Sequence, residues 1–255
     1  MILRRLTQSL KSQHWMAIAI EFVLLVSGVF LGIQVANWNE AQKDKQREAE
    51  FISRLSRDFE KIDARLDMNI QAWTVKSQAP LRALDDVKAF RKTGAWPRPA
   101  AAVLADVDNS FDSRIPAPRA ATYIELLSAG QLGLIRNTKL RDALLDYDMQ
   151  VGYSQTAYSV LIQRVAPHMD ALVAHLEFDR NADTSAGALY KKNRHVWTNL
   201  DLQGLADDPK TSPALNMYAS ASANQLMVAR VQQQKARAVM ALLKPGFDPA
   251  ASAKP

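Results

Sequence analysis

No cysteine occurs anywhere in the 255 residues, which removes disulfides, thiolate nucleophiles and cysteine-ligated zinc or iron–sulfur sites. Histidine is nearly as scarce, at four. His168 and His175 share a helix face, but the step between them spans about 10 Å, too far for both to hold one ion. Glycine numbers only nine, and neither a phosphate loop nor a dinucleotide fingerprint is present. The stretch GYSQT, residues 152–156, begins like a nucleophile elbow, yet Thr156 stands where the second glycine belongs and the segment reads as helix. No catalytic constellation emerges, and no cofactor or metal is expected.

A concentrated charge of one sign is missing too. The 32 Lys and Arg are interspersed with 26 Asp and Glu, for a net charge of +6. A nucleic-acid binder shows a basic stripe beside a recognisable reading element, and the chain has neither, so nucleic acid is not among the expected partners.

What the sequence does have is one long apolar run, in WMAIAIEFVLLVSGVFLGIQVANWNEAQ, residues 15–42. As a helix, residues 16–36 extend roughly 30 Å, the thickness of a bilayer's hydrocarbon core. Trp15 and Trp38 fall at the two interfacial levels, where an indole buries its ring and keeps its N–H wet. The apolar stretch is long for a cleavable signal peptide and no small-x-small cleavage site follows it, so it reads as an uncleaved signal anchor. Arg4, Arg5 and Lys11 precede the span and Lys43, Lys45 and Arg47 follow it, a near tie by Lys and Arg count. With the α-amino group added to the first set, residues 1–15 are expected to be a short cytoplasmic N-terminus and the chain after residue 40 to lie on the far side.

Glu21 is the anomaly in this span. On an ideal helix Gly28 and Gly32 each lie within about 20° of it, one on either side. Small residues let two helices approach closely, and a carboxyl group on the same face finds a partner in the contact. Glu21, Gly28 and Gly32 are therefore a candidate helix–helix interface, with a second copy of the chain or with another membrane protein. The alternative is that Glu21 reaches the headgroup region and the glycines have no special role.

Beyond the span, Ile52, Leu55, Phe59, Ile62, Leu66, Asn69 and Trp73 follow steps of three and four, a heptad seam with one polar interruption. No Pro or Gly occurs between Ile33 and Ala79, so the span is expected to continue as helix nearly to Pro80, as a dimeric coiled coil or as the first helix of a bundle within one chain. A second helical piece is expected over residues 81–91, stopped by TGAWPRPA; residues 101–116 are ambiguous. Helices are expected over 122–129, stopped by Gly130, and from a cap at Asn137 or Thr138 through Val165. Pro167 bends that helix and HMDALVAHLEF completes it. Residues 179–211 read as loop plus a short helix near 189–200. Ser212 and Pro213 suit an N-cap and first turn, opening a last helix to about Leu243. No alternating pattern calls for a strand. The fold class is all-α: a transmembrane helix over 16–36 running into a long amphipathic helix, then an antiparallel helical-bundle ectodomain over 40–243 and a disordered tail over 244–255.

Within residues 119–148, Tyr123, Arg136, Arg141 and Tyr147 are candidates to rim an anionic groove, although ordinary bundle-boundary residues have the same apolar body and polar tip. Two blocks, QHWMAIAIEFVLLVSGVFLGIQVANWNEA (13–41) and ATYIELLSAGQLGLIRNTKLRDALLDYD (121–148), together resemble an uncharacterised family of bacterial envelope proteins, a domain of unknown function found mainly in Gram-negative bacteria. The first block matches the family's GVFxGIQVxNWN pattern, and the second its TYxxLxxSGxLxLIxxxxLRxxLxxYY region, with Ala129 where Ser is usual and Asp148 in place of a second tyrosine. The resemblance implies a single-pass inner-membrane protein with a periplasmic helical domain, and it brings no activity or site residue. The expected role is a structural or protein-interaction component of the inner membrane and periplasm. Its expected partners are the lipid bilayer and either a second copy or another membrane protein. The alternative is a ligand-sensing bundle that signals through a membrane partner.

Overall fold

The structure, a computed structural model, describes residues 2–111, 114–181 and 197–244. It is all-α apart from one small hairpin-like sheet. The elements are α1 (Ile2–Thr93), α2 (Ala100–Phe111), α3 (Ala121–Ser128), a 3-10 turn (Leu132–Leu134), α4 (Thr138–Val165), a second 3-10 turn (Ala166–His168), α5 (Asp170–Val173), β1 (Leu176–Phe178), β2 (Trp197–Leu200), α6 (Leu202–Asp207) and α7 (Thr211–Leu243). The chain divides into two compact units, Met1–Ser53 with Gly133–Arg136, and Arg54–Leu132 with Asn137–Pro255.

The first unit is the N-terminal part of α1 with a short piece of the loop before α4. Glu48 holds that piece: its Oε1 accepts the Arg136 backbone N–H at 2.6 Å, and its Oε2 lies 3.5 Å from the Arg136 Nε. Ile135, in the same piece, is buried.

The second unit is the bundle. α1 enters it with the heptad seam inward: Leu55, Phe59, Ile62, Leu66, Asn69 and Trp73 are all buried by the chain's own residues. A seam filled within one chain is the bundle alternative rather than the two-chain coiled coil. The helix does not end near Pro80. It runs on to Thr93 with Pro80 inside it, so no separate helix begins at Leu81. A mid-helix proline costs one hydrogen bond and a steric clash; here the seam continues past it through the buried Ala83, Leu84 and Val87, and that burial keeps the helix unbroken.

Gly94, at φ 74°, turns the chain, and its N–H bonds the Phe90 carbonyl at 2.7 Å. Trp96 stacks on Phe90, centroids 4.9 Å apart. Arg98 then bridges two buried carboxylates, with its Nε 2.8 Å from Asp86 Oδ2 and a terminal nitrogen 2.7 Å from Asp106 Oδ2. These bonds, to Asp86 first and then Asp106, raise the guanidinium's already high pKa. Asp106 sits on α2, so the ambiguous residues 101–111 form a helix whose inner face buries Val103, Val107 and this ion cluster.

α3 closes with a Schellman arrangement around Gly130, at φ 65°: the Gln131 N–H reaches the Leu126 carbonyl and the Gly130 N–H that of Leu127. Asn137 caps α4, its Oδ1 accepting the Leu140 N–H at 3.2 Å. α4 and α7 pack against one another and run antiparallel, Gln225 reaching Ala157 and Lys235 reaching Asp146. α7 also runs antiparallel to α1, with Arg237 on Asp63 and Gln233 on Asp67.

Three local expectations are corrected. After Pro167 the chain does not complete a helical arm, because only a 3-10 turn and the short α5 form before β1. β1 pairs antiparallel with β2, Leu176 opposite Leu200, so residues 197–200 are strand rather than helix; the rest of the helix expected near 189–200 lies outside the described residues. α7 starts at Thr211, and Ser212 does not cap it; its Oγ accepts from Arg91 at 2.9 Å. Of the tail expected to be disordered, residues 245–255 lie outside the described ones.

Candidate functional site

Three places in the chain carry candidate residues. The first is the apolar part of α1. Among the described residues one helical segment is long and apolar enough to cross a membrane, and none of its most apolar stretch is buried. Phe22, Leu24, Leu25, Phe30, Leu31 and Val35 are each more than half exposed, and so are Trp15 and Trp38 at the two ends. In water such exposure carries a large unfavourable hydration term, and it is consistent with a membrane-spanning segment. Glu21, Gly28 and Gly32 lie on it, all exposed. A Cβ added at Gly28 or Gly32 meets nothing within 4 Å, so nothing described in the chain explains the glycines by close packing.

The second place is the 119–148 region. Tyr123, on α3, and Tyr147, on α4, are both buried in the second unit. Burial raises the Tyr123 phenol above its ordinary value and pushes that of Tyr147 up to about 12. The Tyr147 hydroxyl donates to the Pro118 carbonyl at 2.9 Å, accepts from Gln232 Nε2 at 3.3 Å, and its ring meets Phe59 edge-on at 5.0 Å. Arg141 is half-buried on α4. Arg136 belongs to the first unit, where Glu48 engages it.

Tyr147 is one of three side chains that serve the irregular stretch before α3. Residues 114–120 have no regular structure and contain two prolines, so their carbonyls lack ladder partners. Asn69 Nδ2 donates to the Ile115 carbonyl at 3.0 Å and Gln232 Nε2 to that of Ala117 at 3.0 Å, while Tyr147 takes Pro118. The polar interruption in the seam therefore holds a backbone segment of the same chain.

The third place was not legible as a site in the sequence. A half-open cavity of about 150 Å³ lies in the second unit among α1, α2, α4 and α7. Trp73, Phe111 and Tyr218 supply aromatic surface, the last two meeting edge-on at 5.6 Å, and Leu161 and Val165 add aliphatic surface. Two hydroxyl residues, Ser110 and Ser222, interrupt the apolar lining. Its only sequence signal is a pair of small polar residues on faces that are otherwise apolar.

His175 faces Asp208 rather than His168, with Nε2 3.4 Å from Oδ2. The Lys210 backbone N–H, with the His175 ring second, holds the Asp208 carboxyl below its usual value. Among the described residues no three His, Asp or Glu side chains gather as a metal site. Ser154, in the elbow-like stretch, lies within α4 and donates to the Gln150 carbonyl at 2.8 Å.

No family model matches the chain, and no curated protein or solved structure is significantly similar to it.

Proposed function

We propose that this is a single-pass membrane-anchored protein whose role is to hold another protein at the membrane. The observation that carries this reading is the bare apolar surface of α1 over residues 19–36, which nothing described in the chain covers. Lipid covers most of such a surface. The face bearing Glu21, Gly28 and Gly32 is suited to a second helix, because small residues permit backbone approach and a carboxyl group in hydrocarbon seeks a polar partner. Lys and Arg nearly balance across the span, Arg4, Arg5 and Lys11 before it against Lys43, Lys45 and Arg47 after it. The α-amino group on the first side tips the reading to a cytoplasmic N-terminus, with the bundle in the periplasm. The resemblance of residues 13–41 and 121–148 to a family of Gram-negative envelope proteins supports the same address. An exposed stripe on α4, formed by Leu145, Met149 and Tyr153 at successive turns, supports an interaction role for the bundle as well.

The test is crosslinking in intact native membranes, followed by affinity capture of the full-length chain and mass spectrometry. A stoichiometric partner or homo-oligomer that disappears in an E21A/G28L/G32L variant is the expected result. Association undiminished by that triple substitution removes the span face from the reading, and recovery of the uncrosslinked monomer alone removes the reading itself.

A further inference from the structure

The cavity among α1, α2, α4 and α7 has no part in anchoring, and what it can hold follows from its size and lining. Its volume of about 150 Å³ matches that of cavities that accept a molecule the size of benzene. Trp73 and Tyr218 are almost fully buried in its wall, so their faces are fixed by packing before any ligand arrives. Phe111 stands edge-on to Tyr218 and offers a third aromatic surface. Flat, rigid walls of this kind favour a ring over a flexible chain, because a ring loses less conformational freedom on entry.

The lining also sets the ligand's charge. None of the described lining residues is ionisable in the neutral range. Burial pushes the Tyr218 phenol up to about 12, so it stays uncharged at neutral pH. The buried Lys76 ammonium lies 5.6 Å from the Trp73 ring centroid but does not line the cavity and has a partner of its own. A carboxylate or ammonium group would therefore lose its hydration there with no counter-charge in the wall. A polar handle is nevertheless accommodated. Ser110 Oγ already donates its proton to the Asp106 carbonyl at 2.9 Å, which leaves its lone pairs to accept. The group matched to Ser110 is therefore a donor, an O–H or N–H. Access is from the side where Ile162, Ala166 and Met169 are exposed.

We propose that this cavity is a binding site for a small, neutral, ring-shaped molecule bearing one hydrogen-bond donor, of the phenol or indole type, with Trp73, Phe111 and Tyr218 holding the ring and Ser110 accepting from the donor. This site does not depend on the partner-holding role of the membrane span.

The experiment uses the full-length chain in lipid nanodiscs and 4-fluorophenol as probe, read by fluorine NMR against empty nanodiscs. The expected result is saturable binding with a Kd on the order of a millimolar or tighter, as suits a ligand of this size. Unlabelled phenol displaces the probe and benzoate does not. Ser222→Leu, which places a larger side chain at the wall, weakens binding at least tenfold. Should that variant not fold by circular dichroism, Ala166→Phe at the exposed rim takes its place with the same expectation. Uptake that is linear and equal to that of empty nanodiscs overturns the site. Displacement by benzoate as readily as by phenol overturns the neutral-ligand assignment, and wild-type affinity in a folded Ser222→Leu or Ala166→Phe chain overturns the location.

Discussion

Two stretches of α1 dispose their apolar residues in opposite geometries. Over residues 19–36 the apolar side chains point in every direction and all are exposed. Over residues 55–87 most of them occupy one stripe, and that stripe is buried while the other faces are largely polar, with Met68, Val75 and Leu81 left exposed. The difference is consistent with two different surroundings, a membrane for the first stretch and a core facing water for the second. A helix in a uniform apolar medium has no preferred side, whereas a helix between a core and water must segregate its faces. The exposure of the first stretch is thus as informative as the burial of the second, because each tells which solvent completes the structure.

The largest effect expected from breaking this contrast is in the seam. Phe59→Ala removes a fully buried ring that packs edge-on against Tyr147, and it should lower unfolding stability by about 3–5 kcal/mol. Leu24→Ala in the other stretch, measured in the same thermal unfolding assay in nanodiscs, should leave the bundle transition unchanged. A comparable loss at Leu24 would mean that the two stretches are not the distinct environments described here.

The converse substitution comes next. Leu25→Arg places a charge in the apolar segment and should cost about 2.5–3.5 kcal/mol of membrane insertion, on a scale set by translocon assays. Carbonate extraction should then recover more of the chain in the soluble fraction. An arginine at the exposed Arg65 level of α1, by contrast, is native and costs nothing.

Asn69→Leu sharpens the comparison within the seam. In a two-chain coiled coil, replacing a buried polar residue with leucine raises stability at the expense of register. Here Asn69 Nδ2 serves the Ile115 carbonyl, so the substitution should lower stability by about 1–3 kcal/mol. A denaturant melt that shifts upward would return the coiled-coil reading.

A pH effect follows from the buried phenols. An unfolded tyrosine loses its proton near 10, whereas Tyr147 and Tyr218 hold theirs to about 12. The stabilisation from these neutral phenols is fully present below about pH 10 and is lost as pH rises from there through 12. Circular dichroism should show melting temperatures falling across that window, with a smaller fall in Tyr218→Phe. The smallest expected effect is at Gly130, whose φ of 65° closes α3. Gly130→Ala should cost about 1 kcal/mol, visible as a shift of a few degrees in melting temperature.

Much of this was legible in the sequence. The apolar run, the heptad seam, the Asn137 cap, the Gly130 stop and the extent of α4 and α7 all follow from residue type and spacing, which act over a few residues along the chain. The failures share a different cause. Pro80 signals a break by its local chemistry, yet the buried turns on both sides carry the helix through it. Leu176 and Phe178 form a strand only because residues 197–200 lie beside them. Gln225, Gln232 and Gln233 are buried on α7 while Val231 is more exposed, since those amides reach Ala157, Ala117 and Asp67.

The candidate sites divide along the same line. Glu21, Gly28 and Gly32 share a face by helical arithmetic alone, so the sequence by itself placed them together. The cavity draws Trp73, Phe111, Leu161 and Tyr218 from four helices separated by long stretches of chain, and no local pattern brings such residues to one point. What the sequence by itself determined is the membrane-length apolar helix, the all-α class and the inward seam of α1, because periodicity and solvent preference are properties of neighbouring residues. The tertiary structure alone decided which polar groups go inside, where the strands pair and where the cavity opens. Those outcomes depend on which carbonyls, edges and gaps distant segments leave for one another.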